Sequence, residues 1–174
     1  MLFKSKLLVI DRGWNKIMRE LKRTDKSYVK VGVQQDKMHK PSSKGSQPTE
    51  TTDMVTIAVA NEFGVDTPSG SRSGFSTVRI PERSFIRSTT DEQKQHLIAL
   101  KAKAIRDIAS GKTTVKRQLN KIGTDLSGEI KKKIKNLETP PNAQSTIDAK
   151  GSSNPLMDTG QLRKSIRHQV HVIE

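Results

Sequence analysis

The chain has no cysteine. That absence excludes disulfide staples, thiol nucleophiles and cysteine-ligated zinc together, and it suits folding in a reducing cytosol. Aromatic residues make up only 3% of the 174 positions. They are Phe3, Trp14, Tyr28, Phe63, Phe75 and Phe85, with no cluster on which the bases of a single strand would stack. The apolar patch in MLFKSKLLVI, residues 1 to 10, is far too short to span a bilayer, and it runs into the charged segment Asp11 to Lys16 without a small-residue cleavage site. A soluble protein that meets no membrane is expected. Neither GxxxxGKS/T nor GxGxxG occurs, so no phosphate cradle of those kinds is expected. Acidic residues are scarce beside basic ones, with 18 Asp and Glu against 32 Lys and Arg and a net charge of +14. That excess predicts an anionic partner or a polyanion-rich setting.

The length suits a single domain, residues 1–174. Leu7, Ile10, Trp14, Ile17 and Leu21 recur three and four apart, which predicts one stripe of an amphipathic helix, with Gly13 as an interruption that can move its start past Asp11. Tyr28 to Gln34 predicts a strand with Val29, Val31 and Val33 on one face. Met54 to Phe63 predicts a short helix stopped by Gly64, with Val55, Ala58, Val59 and Glu62 as helical neighbours. The segment FSTVRIPERSFIR reads as extended because Pro81 biases Ile80 away from helix. Thr90 reads as the cap of a helix over Asp91 to Ala109. A longer helix is predicted over Thr113 to Leu137, where Val115, Leu119, Ile122, Leu126, Ile130, Ile134 and Leu137 hold one face. Residues 35–52, 65–74 and 139–155 read as flexible loops or arms, rich in Ser, Gly, Pro or Lys. The terminal RHQVHVI alternates like a strand.

Asp158 opens the tripeptide DTG, which in aspartic proteases presents a catalytic carboxylate on a tight loop after an apolar strand. Here Asn154 and Pro155 cut off any such strand, and the charged QLRKSI follows, so Asp158 reads instead as the cap of a short helix over Thr159 to Lys164. His168 and His171 have a ligand spacing for a helix, but in a strand they fall on opposite faces and lack companions for a metal. No catalytic residue, metal site or cofactor is expected. On the long helix, Arg117, Lys121, Lys131, Lys132 and Lys135 form a basic surface that either solubilises the helix or meets DNA phosphates. Lys133 falls on the apolar stripe and must snorkel or find an acid.

Four blocks occur in a suggestive order: VKVGV at 29 to 33, AVANEFG at 58 to 64, IPERSFIRST at 80 to 89, and PLMDTGQLRKSI at 155 to 166. Together they resemble the tail-completion and neck proteins of tailed bacteriophages, nearest to the HK97 gp10-like and related virion-morphogenesis families. The resemblance implies an α+β fold, a small antiparallel sheet packed by two or three helices, including the long basic one. It also implies a non-catalytic subunit of a homo-oligomeric ring, a hexamer or dodecamer, at the head–tail junction of the virion, assembled in the host cytoplasm. Head connector or adaptor, tail terminator and tail tube proteins are the implied neighbours, with nonspecific DNA contact in the lumen. In such a ring Phe63, Ile86 and Phe85 are candidate apolar anchors and Arg83, Arg87 and Lys133 candidate charged ones, although Phe85 fits the core equally well. The competing reading is a free nucleic-acid-binding protein working through the helix at residues 113–137.

Overall fold

The structure, a computed structural model, describes residues 11, 13–34, 53–71 and 74–173. Helix α1 (Trp14–Thr24) leads to strand β1 (Tyr28–Val33), then helix α2 (Met54–Phe63) and a hairpin of β2 (Val65–Ser71) and β3 (Gly74–Ile80). Helices α3 (Arg87–Glu92), α4 (Lys94–Ala109), α5 (Val115–Asn136), α6 (Gln144–Lys150) and α7 (Gln161–Ser165) follow, and β4 (Ile166–His171) closes the order. The fold is α+β, with seven helices and two antiparallel two-stranded sheets among the described residues.

Among the described residues the first and last strands, β1 and β4, pair antiparallel: Val29 faces Val170, Val31 faces His168 and Val33 faces Ile166. Helix α5 packs across this pair. Its apolar stripe points inward as the spacing requires, with Val115, Ile122, Ile130 and Ile134 buried. Around Ile130 and Ile134 gather Met54 and Ala58 of α2, Phe85, Leu156, Leu162 of α7 and Ile166 of β4, and these eight side chains form the central core.

One glycine decides how closely α5 approaches the sheet. A Cβ on Gly123 would lie 2.7 Å from Cδ2 of His168 and 2.8 Å from Cγ2 of Val29, inside any real contact distance. Alanine would favour an isolated helix by about 1 kcal/mol. Here a ring and a stiff β-branched side chain stand in the way, and overpacking of this kind costs about 1–3 kcal/mol. Gly123→Ala is therefore expected to lower the midpoint of urea unfolding. A raised midpoint would show that the sheet yields without cost.

Helix α1 starts at Trp14, past Asp11 as the interruption at Gly13 allowed, with Gly13 at φ 98°. Asp11 holds this start, its carboxylate accepting from the N–H groups of Gly13 and Asn15 at 2.9 and 3.3 Å. Trp14 is exposed at the start of the helix, although its spacing puts it on the stripe of Ile17 and Leu21. Leu7 and Ile10 lie outside the described residues, as does the expected arm at 35–52.

The stretch 65–74, expected to be a loop, is mostly strand: Val65 pairs with Ile80, Asp66 with Arg79, and so on to Ser71 with Gly74. A ribbon is held through its backbone, so the β-branched run Thr77, Val78 and Ile80 recruits a partner whose composition resembles a loop. The third expected loop, 139–155, contains α6, ended by Gly151 at φ 68°. Its prolines, at 140, 141 and 155, all lie outside that helix and leave QSTIDAK free to coil.

Helix α3 starts at Arg87, ahead of Thr90, which is interior to the helix and donates its hydroxyl to the carbonyl of Ile86 at 2.8 Å. The N-terminal cap comes from elsewhere in the chain. Helix α5 matches its expected span closely: Thr114 is its N-cap and accepts from the Arg117 N–H.

Candidate functional site

The blocks AVANEFG and IPERSFIRS meet in space, and one carboxylate joins them. Glu62 occupies the last turn of α2, on the inward face with Met54 and Ala58. Beyond it, Gly64 has φ 70°, and a Cβ there would come within 2.9 Å of the backbone N of Glu82. The missing side chain lets the outgoing and returning strands of the hairpin close up, so residues 82–87 run past the end of α2 and present their amides to Glu62. Its carboxylate accepts from the N–H groups of Phe85 at 2.8 Å, Ile86 at 2.9 Å and Arg87 at 2.9 Å. The hydroxyl of Ser84 adds a bond at 2.9 Å, and Nε of Arg87 one at 3.2 Å. A helix N-terminus presents unpaired N–H groups and a partial positive charge, and here a remote glutamate supplies what a local cap normally would.

Burial is the largest single influence on the Glu62 carboxyl and pushes its pKa up, but the donors from Ile86, Arg87, Phe85 and Ser84 outweigh it and hold the group below its ordinary value. Arg87 is the bridge to the surface. Its Nη2 donates to the Glu62 carbonyl at 2.8 Å and to Glu82 Oε1 at 2.7 Å, and its guanidinium sits 4.4 Å over the Phe63 ring. The hydrogen bond to Glu82 is the main reason its pKa is raised.

Arg83 turns the opposite way and is buried. Its Nε donates to the carbonyl of Pro140 at 2.9 Å, and its Nη2 to Pro141 O at 3.0 Å and Asn142 Oδ1 at 3.2 Å. The backbone N–H of Arg83 donates to Asn61 O at 2.7 Å. One guanidinium thus clamps the loop between α5 and α6 to the end of α2, a fork of donors that lysine cannot reproduce.

Of the six expected interface residues, Arg83 and Phe85 are interior, the first as this clamp and the second as core at 0% exposure. Phe63 is exposed, Ile86 packs against the edge of the core, and Arg87 is about half exposed beside Glu62 and Glu82. Lys133 finds the acid its position demands: Nζ bonds Glu92 of α3. On α5, Arg117, Lys121, Lys132 and Lys135 are exposed and Lys131 is half-buried, while Lys132 is paired with Glu129 one turn before it.

Helix α7 begins at Gln161, two residues later than expected, with Gly160 at φ 73° in the N-cap position. Asp158 precedes that turn and lines a cleft of about 590 Å³ with Met54, Ile57, Asn61, Pro81 and Lys150. Burial lowers the pKa of Lys150, and the charge of Asp158 acts against that shift. The two histidines separate as strand geometry requires. His168 faces α5 and lies 3.3 Å from Asn120 Oδ1, while His171 stacks on Tyr28 at 4.8 Å. Among the described residues no group of three or more His, Asp or Glu is arranged to hold a metal, and no helix is long and apolar enough to cross a membrane.

Two residues with large roles escaped the sequence reading. One is Glu62 as a cap, for which the signal was an acid on the inward face of an apolar helix, a position tolerable only with donors waiting. The other is Glu20, buried in α1, whose Oε2 accepts the N–H of Val115 at 2.8 Å and so serves the start of α5 as Glu62 serves α3. No protein-family model matches the chain, and neither does any curated protein or solved structure.

Proposed function

We propose that this protein is a structural subunit of a bacteriophage neck or tail-completion ring, joining head connector to tail through contacts with its own copies and with neighbouring virion proteins, and that it catalyses no reaction. The observation that carries this reading is the convergence of the four blocks behind the family resemblance. Val31 and Val33 from the first, Ala58 and Glu62 from the second, Phe85 from the third, and Leu156, Leu162 and Ile166 from the fourth lie in or against one core. The polar residues of the middle blocks, Glu62 and Arg83, are engaged by backbone groups and hold that unit together. A shape-keeping joint suits a subunit whose task is to present surfaces.

The experiment is electron microscopy of the purified protein alone and with its particle-assembly neighbours. Rings, or a ring layer in reconstituted necks, are expected. A chain that stays monomeric and never enters particles would refute the reading.

A second reading has its own observation. Arg117, Lys121, Lys131, Lys132 and Lys135 share an arc of α5 about 27 Å long at 1.5 Å per residue. As a free nucleic-acid-binding surface it predicts affinity for duplex DNA that falls steeply with salt. Neutralising Lys131, Lys132 and Lys135 together should then flatten the slope of log affinity against log salt by about 3. If that triple variant binds like the parent chain, this reading fails whatever happens to assembly.

A further inference from the structure

The cleft of about 590 Å³ that holds Asp158 and Lys150 also meets the root of the β2–β3 hairpin. Arg79 and Ile80 of β3 line it, whereas Asp66 and Val65, their partners on β2, do not. Successive residues of a strand point to opposite faces, so a cleft lined by both Arg79 and Ile80 approaches β3 along its edge. That edge is turned away from β2, and among the described residues β3 pairs with β2 alone. The register fixes which main-chain groups face it. Pro68 pairs with Thr77, and a proline fits a ladder where its missing N–H faces outward. The Ile80 carbonyl lies on the β2 side, 3.1 Å from where a Cβ on Gly64 would stand. Both observations give one phase: Val78 and Ile80 bond to β2, while Thr77 and Arg79 turn their N–H and C=O groups to the open edge. The outer edge of β2 is blunted by Pro68, and that of β3 has no such guard.

Charge is the second observation. Lys150 is half-buried in the cleft, and its Nζ donates to the carbonyl of Pro155 at 3.3 Å, a long bond to a neutral acceptor from a group with three donors. The Arg83 guanidinium is also held by neutral acceptors, the carbonyls of Pro140 and Pro141 and the amide of Asn142, which leave its charge in place. Burial first, and then that neighbouring charge, lower the Lys150 pKa. Arg79 is met by Asp66 at 3.9 Å, outside the cleft. Among the described lining residues Asp158 is the single acid, so the interior is positive on balance, with Ile57, Ile80 and Pro81 as apolar wall.

We propose that the β3 edge and this cleft bind an extended acidic segment of a partner protein, which adds as a strand beside β3 and sets an aspartate or glutamate carboxylate on Lys150. Main-chain bonds to Thr77 and Arg79 supply affinity whatever the partner's side chains, and the cleft selects an acid flanked by apolar residues. Charge complementarity favours an acidic partner over a second copy of a chain at net charge +14. The site stands whether or not the chain forms rings.

A library of random short peptides, selected on the immobilised full chain, is expected to enrich sequences in which Asp or Glu stands among alternating apolar residues. Synthesised with amidated C-termini, these peptides should bind Lys150→Met about tenfold more weakly than the parent chain, and Lys150→Arg should keep most of the affinity. Replacing the peptide's acid by its amide should cost a similar factor, which keeps the test intact if Lys150→Met does not fold. N-methylation of every second peptide amide should abolish binding in one phase and spare it in the other, a signature of strand addition that side-chain contact does not produce. No enrichment, selected peptides that lack an acid, undiminished affinity for the folded Lys150→Met chain, or indifference to the phase of N-methylation would each overturn the proposal. Enrichment of sequences matching a segment of this chain would make the chain its own occupant and overturn it likewise.

Discussion

Glu62→Ala is expected to lower the unfolding free energy by about 3–5 kcal/mol, because it strips a shared acceptor from three backbone N–H groups at once. The N–H of Phe85 is buried, and leaving such a donor unpaired costs about 1–3 kcal/mol by itself. Those of Ile86 and Arg87 are partly reached by water and lose less each. Arg87 also gives up a carboxylate partner, though it keeps Glu82 and the ring of Phe63. Glu62→Gln should cost less than alanine, because its amide oxygen still accepts while its NH2 turns donors toward donors. Urea titrations of the three proteins test the order wild type, glutamine, alanine.

The same carboxylate carries a pH dependence. Its folded pKa is depressed below the ordinary glutamate value of 4.5, so its stabilisation is complete above that value and is lost as pH falls through the folded pKa. The stability gap between wild type and Glu62→Gln should thus be constant near neutrality and shrink on acidification below about pH 4.5. A gap that stays flat into acid would mean that the ionised form is not what the amides prefer.

How far all this was readable in the sequence depends on the range of the interaction. Helix α5 was legible because its cause is periodic and local: seven apolar residues on one stripe and a threonine before the first turn. Strands β1 and β4 were legible for the same reason, as alternating valines, but their pairing joins residues such as Tyr28 and His171 that no local pattern connects. The hairpin was half legible. The β-branched run of β3 announced itself, whereas its partner VDTPSGS has a loop's composition and becomes a strand only because a neighbour offers backbone groups.

The site lay in the range that sequence reading handles worst. Thr90 has the right chemistry for a cap and the expected acids after it, yet the helix begins at Arg87. A carboxylate more than twenty positions upstream satisfies those amides better than a local hydroxyl. Arg83 and Arg87 looked alike as candidate anchors in IPERSFIR, since sequence does not say that one turns inward to the carbonyls of Pro140 and Pro141 while the other turns outward to Glu82. The close approach at Gly123 was equally hidden, because the atoms that forbid a Cβ belong to β1 and β4.

Phe85→Ala is expected to cost about 3–5 kcal/mol in the isolated chain, the range for emptying a fully buried aromatic site. The sequence left two roles open for this residue, core or anchor into a neighbour, and they separate cleanly by experiment. Phe85 is wholly buried beside Met54, Ile130, Ile134 and Ile166 within one molecule. The loss should therefore appear at protein concentrations too low for association. Phe85→Leu should retain most of the stability, since part of the volume is kept and the ring's neighbours can close in. An anchor would behave oppositely, with the isolated chain unchanged and assembly lost. Because the Phe85 N–H is also held by Glu62, the two residues support the same short segment, and once either is removed the segment loosens and the other has less to hold. The double variant Phe85→Ala, Glu62→Gln should thus fall short of the summed single losses by about 0.5–3 kcal/mol. Strict additivity would mean that the cap and the core position that segment independently.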